Sequence, residues 1–346
     1  MAGKPFLIFI SIRKVEQMKV LTISIAAYNV EKTLNKTLDS LNDSRFLNDI
    51  EVLIIDDGSK DGTREVAMKY QAIAPDTFKY VKKENGGHGS TINKGIELAT
   101  GKYFKVLDGD DWINTEKFNT FIKHLKNENA DLVLTKYARV FPDGHEEVIE
   151  NLKNLDENKL YNMDDEFDIP RIEMHMITVK TQLLKKNNVK ITENSFYVDQ
   201  EYNMWSLYLV QTLKVYDYVI YMYRFGIAEQ SVSKEKMLKN VNMQENISLN
   251  LMKMYTRFKG NGNMTSNKDK LVFSWVDHAV AATMRTYLLM DSAKEARKKI
   301  NEFDQKVGAN SQFIFNKLNK DWFIRMMRSG MLMFRLVRVA YLVYKK

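Results

Sequence analysis

The sequence predicts an α/β fold, in which a mostly parallel sheet carries helices on both faces and is followed by a helical C-terminal region. Three observations predict it. From Met18 onward, short runs of apolar and β-branched residues alternate with segments of helical length. Runs that are apolar throughout are typical of parallel strands buried on both faces. Polar residues follow several of these runs, and from Ser233 the pattern is almost entirely helical.

The individual elements follow in chain order from the hydrophobic periodicity and the capping signals. Strands are predicted over Val20–Ala26, Ile50–Ile55, Phe78–Val81 and Tyr103–Leu107. Helices between them are predicted over Val30–Leu41, Asp61–Ala72 and Ser90–Ala99. After Leu132–Val140 the pattern is mixed, with a further strand near Lys214–Tyr223 and a domain boundary near residue 230.

Composition and charge exclude several classes of protein. The chain has 346 residues, no cysteine and 45% hydrophobic residues, so a disulfide framework, a thiolate metal site and a disordered chain are excluded. No apolar run reaches the roughly 20 residues that a membrane-spanning helix needs. The net charge of +8 consists of +6 in residues 322–346 and +2 in residues 1–17, which leaves 18–321 neutral. A neutral body offers no basic groove, so nucleic acid is not an expected partner.

The residues after the fourth predicted strand indicate a cation site. Asp108, Asp110 and Asp111 place three carboxylates within four residues, and their mutual repulsion is relieved when a hard divalent ion lies among them. A plain Asp-Gly turn or helix cap is the alternative for such a sequence. The preceding apolar strand and the following Trp112 favour a site at the end of a strand.

Two further polar segments lie at the ends of predicted strands. Asp57, in Asp56–Ser59 after the second strand, offers a carboxylate that could accept a hydrogen bond from a nucleobase N–H. The glycine-rich loop with Gly87 and His88 leads into a helix, where backbone N–H groups could face a diphosphate. As a phosphate-binding pattern this loop is neither a Walker A nor a GxGxxG motif, and His88 is expected to be a hydrogen-bonding residue.

Five motifs in order resemble family 2 glycosyltransferases of GT-A fold, in particular bacterial enzymes that build capsule or exopolysaccharide. The motifs are SIAAYN (24–29), DDGSKDGT (56–63), ENGGHGSTINKGI (84–96), GKYFKVLDGDDW (101–112) and FYVDQEY (196–202). The resemblance covers about residues 18–230, and it implies a Rossmann-like GT-A catalytic domain there. It also implies an inverting transfer from a nucleotide-diphosphate sugar, most often a UDP-sugar, with Mn²⁺ or Mg²⁺.

The resemblance also implies roles for individual residues. Ala27 and Tyr28 would flank the nucleobase, which Asp57 would bond. In the DXD element, Asp110 would be the direct metal ligand, and Asp108 would lie nearer the ribose or sugar and share the metal. Asp199 matches the catalytic base, although an ordinary helix cap is the other interpretation of that residue.

Further residues fit the family pattern less closely. Arg224, with Gln230–Ser233, is similar to a closing loop that contacts the diphosphate, although a surface pair between Arg224 and Glu229 is an alternative. Ile92 and Val198 stand where the family often has Arg and Glu. His175 would lie on the acceptor side of the cleft, where a structural role is favoured over an acceptor contact.

The C-terminal segment predicts an interfacial helix. At about 100° per residue, the cations Arg328, Arg335, Arg338, Lys345 and Lys346 fall within an arc of about 100°. The rest of the circumference is aromatic and aliphatic, which is typical of a helix lying in a membrane surface. The alternative is a helix docked on the core of the protein with a solvated arginine face.

These observations divide the chain into an N-terminal extension (1–17), the GT-A domain (18–230), a helical region (231–321) and a basic amphipathic membrane-associating helix (322–346). The expected function is glycosyl transfer to a lipid-linked saccharide for cell-surface polysaccharide, at the cytoplasmic face of the cell membrane. Two alternatives stay open: a non-catalytic nucleotide-sugar-binding partner in an assembly complex, and a nucleotidyltransferase on a related fold.

Overall fold

The computed structural model describes residues 18–167, 169, 171–226, 234–262 and 264–344, so the predicted extension 1–17 lies outside the described residues. The strands are β1 (Leu21–Ala27), β2 (Ile50–Asp56), β3 (Phe78–Lys82), β4 (Tyr103–Asp108), β5 (Trp112–Ile113), β6 (Leu132–Val140), β7 (Glu146–Val148), β8 (Leu160–Asn162), β9 (Ile177–Lys180) and β10 (Thr212–Arg224). The first six helices are α1 (Glu31–Leu41), α2 (Thr63–Ile73), α3 (His88–Leu98), α4 (Thr115–Asn127), α5 (Thr181–Lys186) and α6 (Asp199–Leu209). The others are α7 (Lys234–Lys239), α8 (Val241–Gly260), α9 (Ser266–Leu288), α10 (Ala293–Asn310), α11 (Gln312–Leu318), α12 (Trp322–Arg328) and α13 (Met331–Tyr344).

All ten described strands form one sheet in the order β3-β2-β1-β4-β9-β6-β10-β5, with β7 on β6 and β8 on β10. The first four strands pair in parallel, and α1, α2 and α3 connect them. Connecting helices of this kind cover the faces of a parallel sheet, whose apolar strands are buried on both sides. The predicted α/β fold is therefore confirmed, and the predicted bounds of these strands and helices hold to within two residues.

The second half of the sheet is mixed rather than parallel. The short strand β9 lies antiparallel between β4 and β6, while β6 and β10 pair in parallel. Four residues carry too little periodicity for a strand to be predicted there, so the sequence pattern misses β9. Its place is nonetheless important, because the turn Met174–Met176 just before β9 brings His175 next to the end of β4.

The parallel register aligns the polar ends of three neighbouring strands. Ala27 pairs with Asp56 across β1 and β2, and Ala26 pairs with Asp108 across β1 and β4. Because parallel strands end at the same edge of a sheet, the segments that follow β1, β2 and β4 converge there. The fold thus places the predicted motifs at one edge.

The C-terminal helices pack on one another and on α6. The hydroxyls of Ser248 in α8 and Thr283 in α9 are 2.9 Å apart and buried. Asn250 of α8 donates to the Glu201 carboxylate of α6 at 2.6 Å. The helical region therefore supports the helix that begins at Asp199. Within the part of the chain that the structure describes, no helix is both long enough and apolar enough to cross a bilayer.

The C-terminal segment differs from the single helix that its periodicity predicts. It forms two helices, α12 and α13, separated at Ser329 and Gly330. Arg328 and Arg338 point into the protein, where the first pairs with Asp304 and the second donates to backbone carbonyls at the end of α9. The segment is docked, and its arginines take part in the docking. Lys345 and Lys346 lie outside the described residues.

Candidate active site

A cavity of about 370 Å³ opens at the edge where β1, β2 and β4 end. Seven of the nine predicted site residues line it: Ala27, Tyr28, Asp57, Gly87, His88, Asp108 and Asp110. Asn85, Thr91 and Phe196 complete much of the wall. The fold therefore brings residues from all five sequence motifs to one cavity, the fifth motif through Phe196.

The loop after β1 forms an exposed wall. Tyr28 is about half exposed, and Asn29 adopts a left-handed backbone with a φ of 53°, which asparagine tolerates well. The Asn29 side chain accepts from Lys60 N at 2.9 Å, and Asn29 N donates to Ser59 Oγ at 3.0 Å. These bonds fix the loops that follow β1 and β2 relative to each other, so Tyr28 stands at a defined place on the rim.

Asp57 holds the glycine-rich loop. Its Oδ1 accepts from Lys83 Nζ at 2.6 Å and from Gly86 N at 2.9 Å, and its Oδ2 accepts from Gly87 N at 2.8 Å. The carboxylate is buried, so Lys83 supplies the charge that compensates it. A carboxylate oxygen can accept two hydrogen bonds. A nucleobase N–H could therefore donate to Oδ2, which would then accept from both the base and Gly87 N.

The loop can follow this path because its glycines lack a side chain. Gly87 has a φ of 77°, in the left-handed region that favours glycine. A Cβ on Gly89 would lie 2.0 Å from the carbonyl oxygen of Thr192, so α3 approaches the segment before α6 at backbone distance. The two glycines thus set both the entry of the loop and its packing.

His88 reaches from this loop to the acidic cluster. Its Nε2 lies 2.9 Å from Asp108 Oδ1. Burial by itself lowers the pKa of His88, but the charge and hydrogen bond of Asp108 outweigh it and leave that pKa raised. The same pairing keeps the pKa of Asp108 lowered in spite of its burial. His88 thus makes a hydrogen bond within the site, and its expected contact with the nucleotide sugar stays a prediction.

The three acids at the end of β4, Asp108, Asp110 and Asp111, differ in their surroundings. Burial, followed by the charge of Asp108, raises the pKa of Asp110 to about 6. Burial and both neighbouring carboxylates raise the pKa of Asp111 well above its usual value. Asp111 accepts from Tyr221 OH at 2.6 Å and from Arg224 N at 2.7 Å, which ties the turn to β10. Raised pKa values in an acidic cluster are the condition that a bound cation relieves.

Two sets of residues could hold a divalent ion. Among the described residues, ligand atoms of Asp108, Asp111 and His175 lie within 4.8 Å of one another. Each oxygen of the Asp111 carboxylate already accepts one hydrogen bond, from Tyr221 or from Arg224, so an ion there would share these oxygens. Asp108 and Asp110, in contrast, both line the cavity. The carboxylate oxygens of Asp108 and Asp110 fit Mg²⁺ or Mn²⁺, whereas the first set adds the imidazole nitrogen of His175, which favours softer divalent ions.

His175 lies in an aromatic enclosure behind the acids. Its ring is 4.6 Å from Tyr221 and 4.7 Å from Tyr223 between centroids. Burial lowers its pKa, and its Nδ1 has no hydrogen-bond partner among the described atoms. The backbone carbonyl of His175 accepts from the buried Lys105 at 2.7 Å. The residue is therefore partly buried and held in place by packing.

Asp199 is the first residue of α6, and the preceding residue, Val198, occupies the N-cap position. The backbone of Tyr197 has a φ of 66°, an unusual conformation for an aromatic residue and one that concentrates at functional sites. Burial, opposed by His88 and reinforced by Glu173 and Asp108, raises the pKa of Asp199 to about 6. No hydrogen bond or ion pair from another described side chain engages the carboxylate. A buried carboxylate with a raised pKa and without such a partner is a candidate for proton transfer.

Arg224 lies beside the acidic turn. Its Nε donates to the backbone oxygen of Asp110 at 2.8 Å, and its guanidinium lies 5.4 Å from the centre of the Trp112 ring. The segment Gln230–Ser233 and Glu229, which were expected near it, lie outside the described residues. Ile92 and Val198, the two departures from the family pattern, are buried in the core.

Sequence reasoning missed three residues that shape the site. Lys83 and Tyr221 hold Asp57 and Asp111 respectively, and each is separated in sequence from its partner, by 26 and 110 residues. Phe196, whose ring lines the cavity, lies in a segment that was noted only for its catalytic motif. A signal was available for Lys83, since it lies beside the glycine-rich loop, whereas none was available for Tyr221.

The family model of glycosyl transferase family 2 matches residues 22–188. EpsH of Bacillus subtilis (strain 168), assigned as a glycosyltransferase, is 35% identical over 122 residues, which is 35% of each chain. The glycosyltransferase GlyA of Streptococcus pneumoniae is 31% identical over 117 residues, 34% of this chain and 16% of GlyA. The alignments thus span about a third or less of these relatives.

Two solved structures share the fold over most of the chain. TarS 1–349 of S. aureus, solved in complex with UDP-GlcNAc, has a TM-score of 0.62 at 19% identity, covering 90% of both chains. The mannosyltransferase PcManGT of Pyrobaculum calidifontis, solved with GDP-Man and Mn²⁺, has a TM-score of 0.52 at 12% identity, covering 95% of this chain and 89% of that one. At these identities the likeness concerns the fold. The matched segment therefore shows a family 2 glycosyltransferase domain over residues 22–188, and the likeness to the solved structures shows that the chain has their fold.

Proposed function

We propose that the protein transfers one sugar from a nucleotide-diphosphate sugar, with inversion at the anomeric carbon, and that Asp199 is the catalytic base. The observation that supports the proposal is that carboxylates suited to hold a metal lie near a carboxylate suited to act as a base. Asp108 and Asp110 line the cavity beside the glycine-rich loop, and Asp199 is near enough to Asp108 and His88 for both to act on its pKa. Direct displacement needs help at both the departing and the attacking oxygen.

The reaction balances with these residues. The acceptor hydroxyl oxygen forms a bond to the anomeric carbon while the bond from that carbon to the diphosphate oxygen breaks. The diphosphate leaves with the electron pair, and the hydroxyl proton passes to the Asp199 carboxylate. A pKa of about 6 leaves Asp199 ionised at neutral pH and basic enough to accept that proton.

The donor is proposed to be a UDP-sugar. Tyr28 and Ala27 would contact the base, Asp57 would accept from it, and Gly87 and His88 would face the ribose and diphosphate. Arg224, next to Asp110, is the proposed diphosphate contact. TarS was solved with UDP-GlcNAc, and this supports a uridine nucleotide.

A divalent ion, Mn²⁺ or Mg²⁺, is proposed to be held by Asp110 and Asp108. When bound, it neutralises negative charge on the departing diphosphate. The raised pKa values of Asp110 and Asp111 support a cation at this cluster, and PcManGT was solved with Mn²⁺.

The proposed acceptor is a lipid-linked saccharide used in cell-surface polysaccharide, with the enzyme on the cytoplasmic face of the cell membrane. The support is the resemblance of the five motifs to capsule and exopolysaccharide transferases, together with the cationic segment 322–346. The division of the chain at about 230 and 322 stays part of this proposal.

The test is incubation with a panel of nucleotide sugars and Mn²⁺, with the released products identified by ³¹P NMR. Slow release of UDP from one UDP-sugar is expected without an acceptor. Asp110→Asn should reduce it at least a hundredfold, whereas Asp165→Asn, an exposed carboxylate outside the site, should leave it unchanged. Release of pyrophosphate from an NTP and a sugar phosphate would instead indicate a nucleotidyltransferase. Binding of the nucleotide sugar without any turnover would indicate a non-catalytic partner.

A further inference from the structure

The C-terminal helix α13 presents an apolar ridge to solvent. Leu332, Leu336, Val339 and Val343 are 76%, 58%, 60% and 68% exposed. At 3.6 residues per turn they fall within an arc of about 60°. Phe334, on the opposite side of the helix, is fully buried. The ridge is therefore a continuous outward face of a helix whose other face is packed.

Arginines hold this helix pair against the protein. The Arg328 guanidinium pairs with Asp304 at 2.8 Å and lies 3.6 Å from the Phe315 ring. Arg338 donates to the carbonyl oxygens of Leu288 at 3.2 Å and Asp291 at 3.1 Å, at the C-terminal end of α9, where a cation is favoured.

A third arginine holds the helix pair from the opposite direction. Arg297 of α10 donates to the carbonyl oxygen of Ser329 at 2.6 Å, between α12 and α13. The inward arginines explain why the ridge faces out, since they fix the rotation of α13 about its axis.

We infer that this preformed ridge is the surface that contacts the membrane, with the apolar side chains inserted among the lipids and with anionic headgroups around them. The inference rests on the membrane location proposed above and specifies the face that makes the contact. It reverses the orientation that periodicity alone predicts, because two of the arginines expected at the headgroups serve the docking of the helix instead.

Charge identifies a bilayer rather than a second copy as the occupant. Residues 322–346 contain no acid, and Arg325 on α12 and Arg335 on α13 are exposed. Around the axis of α13, Arg335 lies next to the edge of the ridge. Two ridges packed together would bring these cations towards each other, whereas an anionic surface pairs with them. The 14 described residues of α13 form about 21 Å of helix, and the ridge gives this helix the amphipathic character of one that lies in a bilayer surface.

The test is sedimentation of the full chain with vesicles of phosphatidylcholine alone and of phosphatidylcholine mixed with phosphatidylglycerol. The double variant Leu336→Asn/Val339→Asn should lose at least tenfold in partitioning, because it removes two apolar side chains from the contact. The control Met68→Asn/Ile73→Asn changes two exposed apolar residues of α2 and should bind as wild type does. Arg335→Gln should weaken binding to the anionic vesicles alone.

Two results would overturn the inference. One is unchanged vesicle binding of the ridge variant. The other is light scattering that shows a dimer which only the ridge variant dissociates, since the ridge would then meet a second copy. Circular dichroism should show all variants folded, because the substituted side chains are exposed. UDP release without vesicles is measured in parallel, so a failure of the proposed transferase activity is distinguished from a failure of the ridge.

Discussion

The ion pair of Asp57 and Lys83 should contribute substantially to the stability of the folded chain. Asp57→Asn removes the charge that compensates Lys83 Nζ at 2.6 Å and leaves one carbonyl oxygen for the two loop N–H groups of Gly86 and Gly87. Breaking a buried ion pair by changing one partner costs about 3–5 kcal/mol. Lys83 is partly exposed and the Asn side chain keeps one acceptor oxygen, so both factors reduce this cost. The expected loss in the free energy of unfolding is therefore roughly 2–4 kcal/mol.

A double-mutant cycle with Lys83→Met isolates the pair. Urea unfolding of the wild type, both single variants and the double variant should give a coupling of roughly 1–3 kcal/mol, since either single change strands the other partner. Glu97→Gln, which breaks the exposed pair with Lys94, is the matched control and should cost less than about 1 kcal/mol. If the losses at Asp57 and Lys83 add to within about 0.5 kcal/mol, the two residues do not act as a pair and the account of the loop is wrong.

Three further predictions concern the site. The rate of UDP release at low donor concentration should rise about tenfold per pH unit up to about pH 6 and then level off, because Asp199 with its raised pKa accepts a proton only when ionised; a flat profile from pH 5 to 8 would contradict this. Gly89→Ala places a Cβ 2.0 Å from the Thr192 carbonyl oxygen, so it should cost roughly 1–3 kcal/mol in urea unfolding and weaken UDP binding in calorimetry, whereas Gly260→Ala meets no atom within 4 Å and should do neither. Chelation by EDTA should stop UDP release and added Mn²⁺ or Mg²⁺ should restore it, measured with a coupled assay; full activity in EDTA would rule out the metal role.

Much of the fold follows from local pattern, because apolar strands and amphipathic helices repeat along the first 110 residues. The parallel order of β1, β2 and β4 then converges the acidic segments at one edge. The insertion of β9 between β4 and β6 could not be predicted, since it depends on pairing with distant strands rather than on its own four residues.

Both at the site and in the C-terminal segment, the sequence does not show which partner each charged group has. The partner of a charged group is set by tertiary structure, as Tyr221 shows by binding Asp111 across 110 residues. Helical periodicity places the arginines and the apolar residues of the C-terminal segment on different faces. It does not indicate which side faces the protein, because Asp304 and the end of α9 decide that.

A single substitution tests whether Asp199 is the catalytic base. Asp199→Asn keeps the size of the side chain and the backbone turn at Tyr197, but it cannot accept a proton from the acceptor. Calorimetry with UDP and Mn²⁺ should give a dissociation constant within about threefold of wild type, while turnover of the UDP-sugar falls at least a hundredfold, the range attributed to general-base help. Turnover within tenfold of wild type at unchanged UDP affinity would contradict the account.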